Sequence, residues 1–161
     1  MPIQKQYSID DLAPVITSLL AEGKKVIVSA AGNSMYPLIR NQKDAIVLTA
    51  YKGESVSIGD MIFYKRTNGQ YVLHRVVAIE NGEFTLMGDN QTLQEKGITN
   101  QQIIALPIAV IRGKKTIDIN SKGYLLYKKA WTKTNIFRKA GIGFFNLRIR
   151  ASKRLKKIIN K

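Results

Sequence analysis

The sequence predicts a mainly β, α+β fold: a twisted antiparallel β domain preceded by a helix and followed by a basic helical tail. Three observations lead there. Short β-branched runs recur between Val26 and Ile119, turn residues punctuate them, and helical spacing of apolar residues is confined to the two ends. A chain of 161 residues with 45% apolar side chains is long enough for one domain with a real core. The reading places that domain at 1–120 and treats 121–161 as an extension.

Asp10-Asp11 can cap a helix in which Leu12, Val15, Ile16, Leu19 and Leu20 share one face. Pro14 is expected in its first turn, where a missing N–H costs nothing, and Gly23 where it stops. Val26-Ile27-Val28 reads as a strand that ends at the small residues Ser29 to Gly32. Ala45 to Ala50 and Met61 to Tyr64 read as the next two, the second introduced by Ile58-Gly59-Asp60. Asn68-Gly69 marks a hairpin into Tyr71 to Ile79, and Asn81-Gly82 repeats the device before Glu83 to Met87. Ile103 to Ile111 is apolar and β-branched, with Pro107 pointing to a bulge or an edge. Arg112-Gly113-Lys114 then turns into Thr116 to Ile119. Beyond, a helix is expected around Tyr124 to Trp131. After Gly141 and Gly143, a second has Phe144, Leu147, Ala151, Leu155 and Ile158 as its apolar stripe.

The formal charge of +15 suggests a nucleic-acid binder until its distribution is read. Half of the 26 basic residues and none of the 11 acidic ones lie after Asn120, so the body is nearly neutral and the tail strongly basic. No base-reading motif accompanies that charge, which argues against nucleic acid. With no cysteine and one histidine, thiolate chemistry, disulfides and multi-histidine metal sites are excluded. No metal or organic cofactor is implied. No run approaches the roughly 18 apolar residues of a spanning helix. The N-terminus lacks the basic-then-apolar order of a secretory signal. The expected location is cytoplasmic, with the tail as a possible contact to the inner face of the membrane.

Four short segments stand out in order: Gly32-Asn33-Ser34-Met35-Tyr36-Pro37, Gly59-Asp60-Met61-Ile62-Phe63, His74-Arg75-Val76-Val77 and Gly88-Asp89-Asn90. Singly, each has an ordinary reading. Ser34 is a loop hydroxyl, His74 a half-buried histidine in an apolar run, and Asp60 and Asp89 are turn residues. Together, on a β-rich chain, they resemble the boxes of the signal peptidase/LexA-like serine peptidases over roughly Lys25 to Arg112. In the third box bacterial signal peptidases and LexA-type proteins carry a lysine base. Here the position holds His74, which is similar to the archaeal, endoplasmic-reticulum and spore-former signal peptidases.

The resemblance implies a LexA/signal peptidase-type β fold and a Ser34/His74 dyad. A serine hydroxyl is a poor nucleophile at neutral pH and needs a neighbour to accept its proton; histidine, with an ordinary pKa of about 6.5, can do so and return the proton to the leaving amine. Asp89 is implied to orient or charge-stabilise the base, and Glu95 to match the branch's second acidic residue. Gly32, Asn33, Met35 and Pro37 are the expected substrate-binding residues around the nucleophile, the small ones letting backbone approach substrate and Pro37 stiffening the exit.

The chain also departs from the pattern. Tyr36 stands where an acidic residue is common, no membrane anchor is evident, and only 33 residues precede Ser34, too few for a DNA-binding domain and cleavable linker. The leading expectation is a serine endopeptidase that cuts leader-like peptide or protein substrates in trans. The alternative is a peptide-binding module that keeps the fold without cutting. In either, the basic amphipathic tail with Trp131, Phe144 and Phe145 can rest on an anionic membrane or an acidic partner, or pack its stripe on the body.

Overall fold

The computed structural model describes residues 9–133, and the stripe expected from Phe144 to Ile158 lies outside them. Helix α1 spans Ile9–Ala21 and buries Ala13, Ile16 and Leu20. It ends as expected at Gly23, whose φ of +77° suits a residue without Cβ. The amide of Lys24 reaches the carbonyl of Leu19 and that of Gly23 the carbonyl of Leu20, which satisfies two end carbonyls. One expectation fails here. Asp10 and Asp11 lie within the helix, and Pro14 follows the first turn, where its absent N–H leaves the Asp10 carbonyl without a helical partner.

Eight strands follow: β1 Val26–Ser29, β2 Asp44–Ala50, β3 Met61–Lys65, β4 Tyr71–Glu80, β5 Glu83–Met87, β6 Glu95–Ile98, β7 Ile103–Arg112 and β8 Lys115–Asp118. A single 3-10 turn, Asn100–Gln102, leads into β7, and helix α2 spans Lys122–Lys133. The strands form one antiparallel sheet in the order β1-β2-β7-β3-β4-β5-β6, with β8 on β7. This is the β-rich α+β fold of the LexA type.

The turns work as their residues require. The β4–β5 loop is two residues long, and Asn81 and Gly82 both have positive φ (51° and 80°), the combination a tight hairpin needs. Pro107 is fully buried in a central strand, so the edge reading is corrected and the bulge reading holds. On one side of β7 the register to β2 shifts between Ala109 and Pro107. On the other, β3 pairs only as far as Ala105 and β8 only from Ala109, so the missing N–H falls between two partners. Sequence reading gave no strand at Glu95–Ile98, because Glu-Lys-Gly-Ile has neither alternation nor β-branched content until its last residue.

Strand β3 explains where the core lies. Met61 and Phe63 join a cluster with Ile16, Leu20, Met35, Ile39, Leu48 and Val110, while Ile62 and Tyr64 join Val76, Phe84, Leu86, Ile98 and Ile103. The sheet is therefore covered on both faces at its centre, which accounts for a continuous apolar run in place of alternation.

Candidate active site

The turn after β1 carries Ser34. Gly32 has φ +84°, and its amide is held by Asn41 Oδ1 at 3.0 Å. Met35 is buried in the core, and its carbonyl accepts the amide of Ile39. The exit of the turn, past the cis Tyr36–Pro37 peptide, is tied by Arg112, whose Nη2 donates to the carbonyls of Leu38 (2.6 Å) and Pro37 (3.3 Å) and to Asp44 Oδ2 (3.0 Å). Arg40 grips the same carboxylate. Burial alone would push Asp44 up, but hydrogen bonds from Arg40 and Arg112 hold it well below the usual carboxylate range. Sequence reading missed this Arg40–Asp44–Arg112 knot.

From the other side the turn is tied to the Gly88-Asp89-Asn90 segment. The amide of Asn90 donates to the carbonyl of Ser34 at 2.7 Å, and a Cβ at Gly88 would stand 2.8 Å from the same carbonyl. Ser34 and His74 line one cavity of about 270 Å³ with Gly32, Met35, Phe63 and Leu73 among its walls. Of the four residues expected to bind substrate, Gly32 and Met35 line this cavity, whereas Asn33 and Pro37 lie outside the lining.

His74 sits on β4 opposite Ile62 of β3, and is 2% exposed. Both of its ring contacts fall on Nδ1: Glu95 Oε1 at 3.1 Å and the Tyr64 hydroxyl at 3.3 Å. A carboxylate at Nδ1 calls for the Nδ1–H tautomer, which leaves Nε2 as the basic nitrogen. Burial is the main influence on the ring and pushes its pKa below 6.5; the charge of Glu95 opposes this and that of Arg66 adds to it. Glu95 is in turn held by Arg66, through Nε at 2.7 Å and Nη2 to the second oxygen. Burial would raise the Glu95 carboxyl, yet the bonds from Arg66 and Tyr64 keep it lowered. Among the described residues no hydrogen bond joins Ser34 Oγ to the ring.

Asp89 makes no contact with the His74 ring, which its charge reaches only through space. Its two oxygens take Arg75 Nε and Nη2, each at 2.7 Å, and neither side chain is more than 1% exposed. Tyr127 of α2 adds a contact at 3.4 Å, and Arg75 Nη1 also donates to the Gly59 carbonyl and the Tyr124 hydroxyl. Asp60 closes its turn through the Ser57 amide and pairs with Lys128. The second, third and fourth boxes therefore meet at a buried ion pair beneath α2, and Glu95 alone of the two acids touches the histidine.

Tyr64 and Arg66 were not singled out from sequence, although a signal existed. Counting back from Gly69 fixes Ile62 opposite His74, so Tyr64 lies next along that face, followed by Arg66 at the hairpin mouth. Among the described residues no three His, Cys, Asp or Glu side chains gather into a metal site, and no helix is long and apolar enough to cross a membrane.

Ser34 and His74 thus line one cavity of a LexA-type sheet, with Glu95 at the ring's Nδ1. The chain belongs to the Peptidase S24-like family, whose model matches residues 1–110, and this match makes it a serine peptidase-like protein. No curated protein matches the chain.

Proposed function

We propose that the protein is a serine endopeptidase that hydrolyses a peptide bond in an extended, leader- or signal-like segment. The observation that carries this reading is His74, fixed at Nδ1 by Glu95 and turned to a cavity that Ser34 shares. Ser34 Oγ attacks the scissile carbonyl carbon as its proton passes to His74 Nε2. Backbone N–H groups of the Ser34 turn receive the oxyanion. Collapse of the adduct breaks the C–N bond, and the imidazolium returns its proton to the leaving amine. Water, deprotonated by the same nitrogen, then releases the acyl group from Ser34.

A peptide substrate suits the cavity walls. β1 is the edge of the sheet, and β5 pairs with β4 only from Arg75 onward. The cavity thus runs between two strand edges, Val28 to Ala30 on one side and Val72 to His74 on the other. An extended chain laid there finds backbone partners, as in strand addition. The basic tail supports a working place at an anionic membrane surface, with Leu125 and Leu126 of α2 exposed at its root (46% and 70%).

The absence of a Ser34–His74 hydrogen bond favours one second reading, a module that holds such a peptide without cutting it. Incubation with a library of leader-like peptides, alongside Ser34→Ala and His74→Ala, separates the two. Cleavage lost in both variants supports the peptidase; binding without cleavage by the unaltered protein supports the module. For the tail, sedimentation with anionic and neutral vesicles decides. Stronger binding to the anionic ones is expected, and equal partitioning would remove the electrostatic membrane role.

A further inference from the structure

Arg66 stands at the mouth of the β3–β4 hairpin, where its amide closes the turn by donating to the Gln70 carbonyl at 2.8 Å. Its side chain turns inward. Nη1 donates to Gln70 Oε1 at 2.9 Å, and Nε and Nη2 take both oxygens of Glu95 in the two-point grip that a planar guanidinium makes with a carboxylate. Glu95 has reason to be gripped. It comes from a four-residue edge strand joined to the sheet only through β5, so its backbone does not by itself fix the carboxylate. The same carboxylate meets His74 Nδ1 at 3.1 Å.

A bare carboxylate beside a buried histidine raises the ring's pKa and favours the protonated form, which cannot accept a proton. A carboxylate already neutralised by Arg66 can still accept the Nδ1–H while attracting the ring's proton far less. We propose that Arg66 is a positioning residue for the base: it locks Glu95 against Nδ1 and offsets its charge, so that His74 stays neutral with Nε2 facing the cavity. The groups that face the ring are Glu95 from β6, Arg66 and Tyr64 from the β3 side, and, through space, Asp89 from the turn after β5. Arg66 is the one cation among those facing groups. This inference rests on the Ser34/His74 reading, but its test needs no substrate.

His74 is the only histidine in the chain, so its ring resonances can be assigned without ambiguity. Nitrogen-detected NMR titration of the full chain reads both its midpoint and its tautomer. The unaltered protein is expected to titrate below 6.5 as the Nδ1–H form. Arg66→Gln should lift the midpoint above that of the unaltered protein, and Glu95→Gln should drop it below that of the unaltered protein and dilute the Nδ1–H form. Shifts of opposite sign mark a charge relation, whereas simple loosening would move both variants toward 6.5. Two shifts of one sign, or none, would overturn the inference. If Arg66→Gln loses its dispersed amide spectrum, Arg66→Lys decides. It keeps the charge without the two-point grip, so the midpoint should stay below 6.5 while the Nδ1–H fraction falls. An unchanged tautomer in a folded Arg66→Lys protein would overturn the clamp. Opposite shifts in a protein that cuts no peptide would leave the positioning intact and count against the peptidase reading alone.

Discussion

The carbonyl of Ser34 accepts the amide of Asn90 at 2.7 Å, which makes the Ser34 turn and the Gly88-Asp89-Asn90 turn one mechanical unit. The unit extends through Asp89 to Arg75, and through Arg75 to Gly59 and to Tyr124 of α2. Residues far apart in sequence are thus held in one frame around the cavity.

Gly88 sits at the tightest point of that frame. A Cβ there would meet the Ser34 carbonyl at 2.8 Å and Gln91 Oε1 at 2.6 Å, and the carbonyl cannot yield without moving the nucleophile. Gly88→Ala is therefore expected to lower kcat about 100-fold, the penalty typical of a 1 Å misplacement. Thermal unfolding beside peptide turnover checks this. A variant that unfolds early but keeps its kcat would show that the contact does not govern the nucleophile.

Asp89 is expected to matter through stability. Asp89→Asn leaves Arg75 buried without its counter-charge, and breaking such a pair costs about 3–5 kcal/mol. Denaturant unfolding should show that loss. The acid limb of the remaining activity should move only slightly, and to lower pH, because Asp89 acts on the ring through space while Glu95 contacts it. A large shift, or one to higher pH, would contradict that division of roles.

The acid limb itself has a stated sign. The base must be neutral, and burial lowers its pKa, so activity should hold down through pH 6.5 and fall only below it. Stability follows the same group. Below 6.5 the unfolded chain binds a proton that folded His74 does not, so stability falls from there down to the folded pKa. His74→Ala should remove that component of the slope. A slope unchanged in the variant would assign it to other groups.

Asp44→Asn should loosen the exit of the nucleophile turn. The carboxylate is fully buried under Arg40 and Arg112, and loss of these charge-assisted bonds is expected to cost about 2 kcal/mol. Since Arg112 also holds the Pro37 and Leu38 carbonyls, a parallel loss of activity is expected. Full stability in a melting experiment would deny the knot its role.

Much of this was legible from residues whose chemistry is local. Gly23, Gly69 and Asn81-Gly82 announce their turns because the positive φ found there favours such residues. Ser34 and His74 became visible through neighbours at fixed order. What stayed hidden depends on tertiary partners. β6 exists because β5 offers it an edge, and Pro14 is tolerated within α1, where its exposed position leaves the ring unhindered by packing. Asp89 is a partner for the base by family resemblance alone, whereas in the fold the buried Arg75 takes both of its oxygens. Arg66 reads as an ordinary hairpin cation until β6 brings Glu95 beside it.

The central claim is that Ser34 and His74 act as one catalytic unit, and a double-mutant cycle on kcat tests it most directly. With one cleavable leader-like peptide, Ser34→Ala and His74→Ala should each lower kcat by at least about 10³-fold, and the double variant should be no worse than either alone. Losses that multiply in the double variant, or cleavage that survives in either single one, would contradict it.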